Sequence, residues 1–370
     1  MRPSNWEIAV KRYAAYEFAE YVHWKPDPAV QAAFAATIEA DPGRAAWIAG
    51  LDETALLRLY EGLLAARLHD IQLKRWVKQG VITKAWLGSG EEATTVGPCA
   101  ALGEADMLGP MIRNSGAFIE RGIPLEQCFA AYLGTTDSIT QGRDLHIGDP
   151  KRGVIPPISH VGDLVPVMAG VAMAFGLRDE KRVALTWTGD GSTATGAVHE
   201  GLRVAAAAQA PLICIIQDNG VALGTDGKVH YRGEFMAYGE AYGVRIAEFD
   251  GNHVLDAYAA TAWAVERCHA GEGPVVLVAR TFRMGGHATH DEREARELFG
   301  DARFAEWGKR DPVGMYEAWL MAHRGISEVQ LSEVEAQVLA RTDAAAKRAV
   351  SQRESHAPDP ATVADGVYAT

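Results

Sequence analysis

The sequence predicts an α/β fold, a parallel sheet with helices on both faces and helical additions at both ends of the chain. Three observations lead there. Short apolar runs recur at 183–187, 212–216, 244–249 and 275–278. Stretches with an apolar residue every three or four positions lie between them. Turn residues such as Gly189-Asp190-Gly191 and Asp218-Asn219-Gly220 close two of the runs. Apolar runs without polar alternation are what strands buried on both faces require, and intervening helices make the crossovers of a parallel sheet.

The elements follow in order. Residues 1–52 are rich in alanine and in aromatics such as Trp6, Tyr13, Tyr16, Phe18, Tyr21 and Trp24, and read as a helical extension punctuated by Pro26, Pro28 and Pro42-Gly43. A long helix is expected over 53–79, from Leu56, Leu59 and Leu63 through to Trp76, and a shorter one over 91–103. After the run at 183–187, Val198, Leu202 and Ala205 share one helical face. Asp250-Gly251-Asn252 reads as the cap of a helix carrying Leu255, Tyr258, Ala259, Ala262 and Val265. The main α/β unit therefore spans 53–325, and 326–370 is a C-terminal helix with a polar tail, whose last stretch, 355–370, is expected to fray.

Composition narrows the function classes. The 370 residues carry 36 Lys+Arg against 48 Asp+Glu, a formal charge of −12. Such a chain is a poor general binder of nucleic acid, because that affinity comes from basic residues neutralising phosphates. Cys99, Cys128, Cys214 and Cys268 form neither a CxxC pair nor a zinc knuckle, which fits a reducing compartment. Residues 1–7 lack the apolar core of a signal peptide, and the longest apolar stretch, 164–177, is too short to span a bilayer. The expectation is a cytoplasmic chain that engages neither membrane nor nucleic acid.

The chemistry concentrates at two strand ends. Asp190 and Asn219 each follow a run, and a βαβ unit brings such ends side by side. Two hard oxygen donors at one sheet edge suit Mg²⁺, which fills its remaining positions with phosphate oxygens and water. Gly189 and Gly191 let backbone N–H groups approach an anion, aided by the helix that begins near Thr195. The plain alternative is an ordinary strand-to-helix turn. The spacing of Gly189, Gly191 and Gly196 is not that of a dinucleotide fingerprint.

These residues resemble the thiamine diphosphate motif. More widely, 56–320 is similar to the α subunit of thiamine diphosphate-dependent 2-oxo acid dehydrogenases, the group of pyruvate, branched-chain 2-oxo acid and acetoin dehydrogenases. The match runs through Gly90-Glu91-Glu92-Ala93, Arg113 before Gly116, Gly142-Arg143-Asp144-Leu145-His146 and Thr281-Phe282-Arg283-Met284-Gly285-Gly286-His287. The resemblance implies that Asp190, Asn219 and the main-chain carbonyl of Val221 ligate Mg²⁺. It implies that Gly189, Gly191 and Ser192 frame the diphosphate, and that Arg113 pairs with a phosphate oxygen. His287 is then placed over the reacting carbon, and His146 sits on a loop at the same entrance. Ser159 and Val161 touch the cofactor's middle or the acyl group. Read as residues alone, His146 is equally a solvated loop histidine and Arg113 a surface ion-pair former.

The resemblance also implies partners: a β subunit completing an α₂β₂ heterotetramer and supplying the carboxylate that acts on the cofactor, and a lipoyl-bearing acyltransferase taking the acyl group from the small-molecule substrate. An acyloin-cleaving enzyme such as acetoin dehydrogenase, and a cofactor-holding subunit without catalysis, are the rival readings. Five positions depart from the family pattern. Ile112 stands where an aromatic residue or histidine usually precedes the arginine, and Asp218 where an asparagine is usual. Asp163 lies near a family glutamine, and His290 replaces a small polar residue. Ala288 stands where some animal enzymes carry a phosphorylated serine.

Overall fold

A computed structural model describes residues 10–11, 23–362 and 364–367. The strands in chain order are β1 (Val10–Lys11), β2 (His23–Trp24), β3 (Met107–Gly109), β4 (Ala184–Gly189), β5 (Leu212–Asp218), β6 (Val221–Ala222), β7 (Thr225–Asp226), β8 (Arg245–Asp250) and β9 (Val275–Arg280). Five of them form one parallel sheet in the order β3-β4-β5-β9-β8. The alternation within β5 shows why it must be central. Ile213 and Ile215 join one core with Leu185, Trp187 and Leu277, while Cys214 and Ile216 join another with Val198, Leu202, Val276 and Val278. Successive side chains point to opposite faces, so both faces need cover.

The register carries the site. Gly189 on β4 stands opposite Gln217 on β5, so the residues that follow, Asp190 and Asn219, leave the sheet at one edge. Helix Leu164–Leu177 packs on helix Gly196–Ala207 beneath that edge. The approach is close because Gly201 has no side chain: a Cβ there would meet the Pro166 nitrogen at 2.7 Å. Helix Ala93–Ala100 is tied to β4 by the Trp187 indole, which donates to the Thr94 carbonyl at 2.8 Å. The long helix Glu53–Lys78 starts at Asp52, whose side chain accepts from the Ala55 N–H.

Several expectations need correction. The three-residue edge strand β3 was not legible, because it has no periodicity of its own and is completed by pairing to β4. The cap of helix Val254–His269 is His253, whose Nδ1 accepts from the Leu255 N–H, rather than the 250–252 turn. In the N-terminal extension, Pro28–Glu39 and Pro42–Ala49 are helices, but Trp24 lies in β2, paired antiparallel to β1. Trp6, Tyr13, Tyr16, Phe18 and Tyr21 lie outside the described residues. The tail is not frayed where it is described: past helix Glu328–Gln352 it bonds to the 136–143 loop, with the Thr136 N–H donating to the His356 carbonyl at 2.9 Å. No described helix is long and apolar enough to cross a membrane. All four cysteines are buried and free.

Candidate active site

A cavity of about 640 Å³ opens beyond the carboxyl ends of β4, β5 and β9. Arg113, His146, Ser159, Val161, Gly191, Ser192, Asn219, Val221 and His287 all line it, so the fold gathers residues scattered over much of the sequence. Two expected site residues stand outside its wall. Asp190 borders the adjoining pocket with Asp218 and His230, and Gly189 forms the last step of β4 behind the turn. The reason is local: Asp190 opens a 3₁₀ turn (Asp190–Ala194) that aims its carboxyl back under the Gly191 N–H, which donates to Oδ1 at 2.8 Å.

The other Asp190 oxygen decides what this edge can do. Oδ2 is buried and has no hydrogen-bond partner among the described residues. Burial pushes this carboxyl up to about 7, helped by the nearby carboxylates of Asp218 and Glu91. The His230 Nε2 lies 4.0 Å away and is likewise buried without a partner. Asn219 is held from two sides: its Oδ1 accepts from the Val221 N–H at 3.1 Å, and its Nδ2 donates to Glu91 Oε1 at 3.1 Å. The hairpin β6–β7 that follows presses on the turn, and a Cβ on Gly191 would meet Ala222 Cβ at 2.5 Å. An acid and an amide at one buried edge are donors of the kind a hard divalent cation prefers. No group of three or more His, Cys, Asp or Glu side chains suited to a metal occurs among the described residues.

Arg113 is buried, not the surface ion-pair former its residue type permits. Its Nη2 donates to His287 Nδ1 at 2.8 Å and to the His287 carbonyl at 3.3 Å. Its Nη1 is buried without a hydrogen-bond partner, 3.9 Å from the equally unpartnered Glu91 Oε2. Arg113 is thus ion-paired with Glu91 and hydrogen-bonded to His287, which holds its guanidinium fork in a fixed orientation.

His287 follows the Gly285-Gly286 turn after β9, where its N–H donates to Asp291 Oδ2 at 2.9 Å. Burial lowers its imidazole to about 4, with the Arg113 and Arg283 cations adding to the effect. The ring is neutral near pH 7, and a guanidinium can only donate. Nδ1 is thus the acceptor, and the ring proton resides on Nε2.

His146 is fixed rather than loosely solvated. Its Nδ1 meets Asp144 Oδ1 at 2.7 Å and its Nε2 meets Ser159 Oγ at 3.2 Å. Ser159 and Val161 form the exposed rim. Ile112 lines the cavity wall beside Trp86 and adds apolar surface where the family pattern has a polar or aromatic group.

Three residues that line or brace the cavity escaped the site reading. Glu91 orients Asn219, and Arg283 lines the cavity, its guanidinium lowered to about 10 by burial and by Arg113. Both lie inside motifs visible in the sequence. Asp70 had no such signal. It is buried in a helix, where Oδ2 accepts from the Gly88 N–H at 2.7 Å and Oδ1 from Ser115 Oγ at 3.2 Å. It thereby ties the Gly88 turn to the start of helix Ser115–Glu120, just after Arg113.

The dehydrogenase E1 component family matches residues 61–358. The pyruvate dehydrogenase E1 component subunit alpha of Acholeplasma laidlawii is 30% identical over 302 residues, 81% of this chain and 85% of that protein. The mitochondrial 2-oxoisovalerate dehydrogenase subunit alpha of Homo sapiens is 30% identical over 284 residues, 76% of this chain and 63% of that protein, so the match spans less than two thirds of the human chain. The counterpart from Caenorhabditis elegans is 30% identical over 306 residues, 80% of this chain and 70% of that protein. With the buried acid–amide edge and the Arg113–His287 pair at the same strand ends, this chain belongs to the dehydrogenase E1 component family, on the alpha-subunit side of the thiamine diphosphate-dependent 2-oxo acid dehydrogenases.

Proposed function

We propose that this chain binds thiamine diphosphate through Mg²⁺ at the β4–β5 edge and, with a β subunit, decarboxylates a 2-oxo acid and passes the acyl group to a lipoyl acceptor. One observation carries the reading: the Asp190 carboxylate is buried with one oxygen unpartnered, next to an Asn219 that Glu91 orients, and Glu91 in turn pairs with Arg113. A buried carboxylate without a partner is costly unless something positive satisfies it.

Asp190, Asn219 and the Val221 carbonyl would hold the metal, and the N–H groups of Gly191 and Ser192 with Arg113 Nη1 would take diphosphate oxygens. When bound, thiamine diphosphate supplies the nucleophilic carbon and the electron sink for loss of CO₂. His287 keeps its proton on Nε2, ready to donate where negative charge develops. Ile112 beside Trp86 gives the cavity an apolar wall, which lowers the polarity around the substrate's carboxylate. His146, bridged to Ser159, guards the entrance.

Titration calorimetry tests the metal site. Wild-type chain binds thiamine diphosphate only with Mg²⁺ present, and Asp190→Asn loses that binding. Retained Mg²⁺-dependent binding by the variant removes the site from this account. Product analysis of the assembled enzyme then separates the chemistries: CO₂ release from 2-oxo acids supports the reading, and cleavage of acetoin alone overturns it in favour of an acyloin-cleaving enzyme.

A further inference from the structure

The loop that carries His146 is the least obviously supported part of the site, yet it is pinned from behind. Within the loop, Ser138 Oγ accepts from the Gly142 N–H at 2.9 Å, Thr140 Oγ1 donates to the Asp144 carbonyl, and Asp144 Oδ1 accepts from the His146 N–H at 3.1 Å. Its outer side is covered by the C-terminal tail. The Thr136 N–H and Oγ1 both donate to the His356 carbonyl, at 2.9 and 3.2 Å, and His356 Nδ1 meets Asp137 Oδ2 at 2.5 Å. Arg143 donates through Nη1 to the Asp365 carbonyl and through Nη2 to the Thr362 carbonyl at 3.2 Å. Gly142 has a φ of +78°, and a Cβ there would meet Pro358 Cγ at 2.5 Å, so loop and tail touch backbone to ring.

We propose that residues 356–365 form a clasp on this loop and that Arg143 is the positioning residue through which the clasp orients His146; this rests on the reading of His146 as part of the site. The guanidinium is suited to the task, because its planar fork takes two main-chain carbonyls at once where an ammonium is a single point charge. Arg143 adjoins Asp144, which holds the His146 ring, and that ring reaches Ser159 at the cavity rim. An unbroken path of contacts thus runs from the tail to the entrance. The family match ends at 358, so Thr362 and Asp365 extend the arrangement beyond the shared region.

Amide hydrogen exchange on the full-length chain tests the clasp, with Arg143→Met and a truncation after Arg353 as the lesions. Each speeds exchange across 136–149 by about tenfold while β5 and β9 keep their protection, as expected of local opening without global unfolding. Combining the lesions adds little to either alone, since both break the same contact. Arg143→Lys, which keeps the cation and loses the fork, gives an intermediate rate. In the complex with the β subunit, kcat/KM for the 2-oxo acid falls in both variants while the affinity for thiamine diphosphate is unchanged. Unaltered exchange at 136–149 in both variants, or faster exchange spread evenly over the sheet, overturns the clasp. A wild-type complex that turns over no 2-oxo acid overturns the functional reading instead, and an exchange response confined to 136–149 supports the clasp independently of it.

Discussion

A residue's type sets what it is able to do, and its neighbours decide whether it does so. His287 illustrates this. Its imidazole, ordinarily near 6.5, is held at about 4 by burial and by two guanidinium groups. As pH falls below 6.5 the unfolded chain takes the proton first, and the folded chain resists until about 4. Stability therefore falls as pH drops through that window, and the group contributes nothing to the pH dependence above it. Urea unfolding at pH 7 and pH 5 should show a larger loss for wild type than for His287→Ala. The same substitution should leave thiamine diphosphate binding intact and lower kcat by about 100-fold, the scale of a lost proton donor. An equal loss of coenzyme affinity would assign His287 to binding instead. Glu91, Arg283 and Asp70 show what residue type alone leaves hidden, since a carboxylate in a helical stretch carries no mark of what it will brace.

Elements meet where small residues let them. Helix Gly196–Ala207 crosses Leu164–Leu177 with Gly201 against the Pro166 backbone, at a separation no side chain fits. Gly201→Ala should destabilise the chain by about 1–3 kcal/mol, the usual cost of overpacking, read as a lower melting temperature. An unchanged melting temperature would show that the helices slide apart without penalty. The apolar runs at 183–187, 212–216 and 275–278 were legible as strands because both of their faces are buried, which leaves no polar alternation to confuse them. β3 was illegible because three residues define no period and only β4 beside them makes them a strand. The His253 cap was missed for a related reason: histidine is an unusual capping residue, and its Nδ1 serves here because the ring is buried and neutral, held well below its ordinary value by desolvation.

At the scale of the whole molecule, the sheet brings Asn219, a buried arginine and a neutral histidine to one cavity, with Asp190 bordering the pocket beside it, all from a single chain. In the proposed function, the carboxylate that would act on the coenzyme comes from a β subunit. The chain by itself should bind thiamine diphosphate and Mg²⁺ but give no turnover, with activity appearing on addition of the β subunit in a decarboxylation assay. Full activity from the lone chain would overturn the division of labour.

The sequence by itself determined four of the five strands of the main sheet and the two strand-end turns, because burial pattern and glycine-bearing turns are local properties of the chain. It also placed Asp190, Asn219, Arg113 and His287 within motifs. Only the tertiary structure decided that Asp190 faces an adjoining pocket, that Arg113 is buried between Glu91 and His287, and that a tail expected to fray instead grips the His146 loop. Those outcomes depend on which unpaired donors and acceptors meet across long stretches of sequence, and no local pattern encodes that meeting.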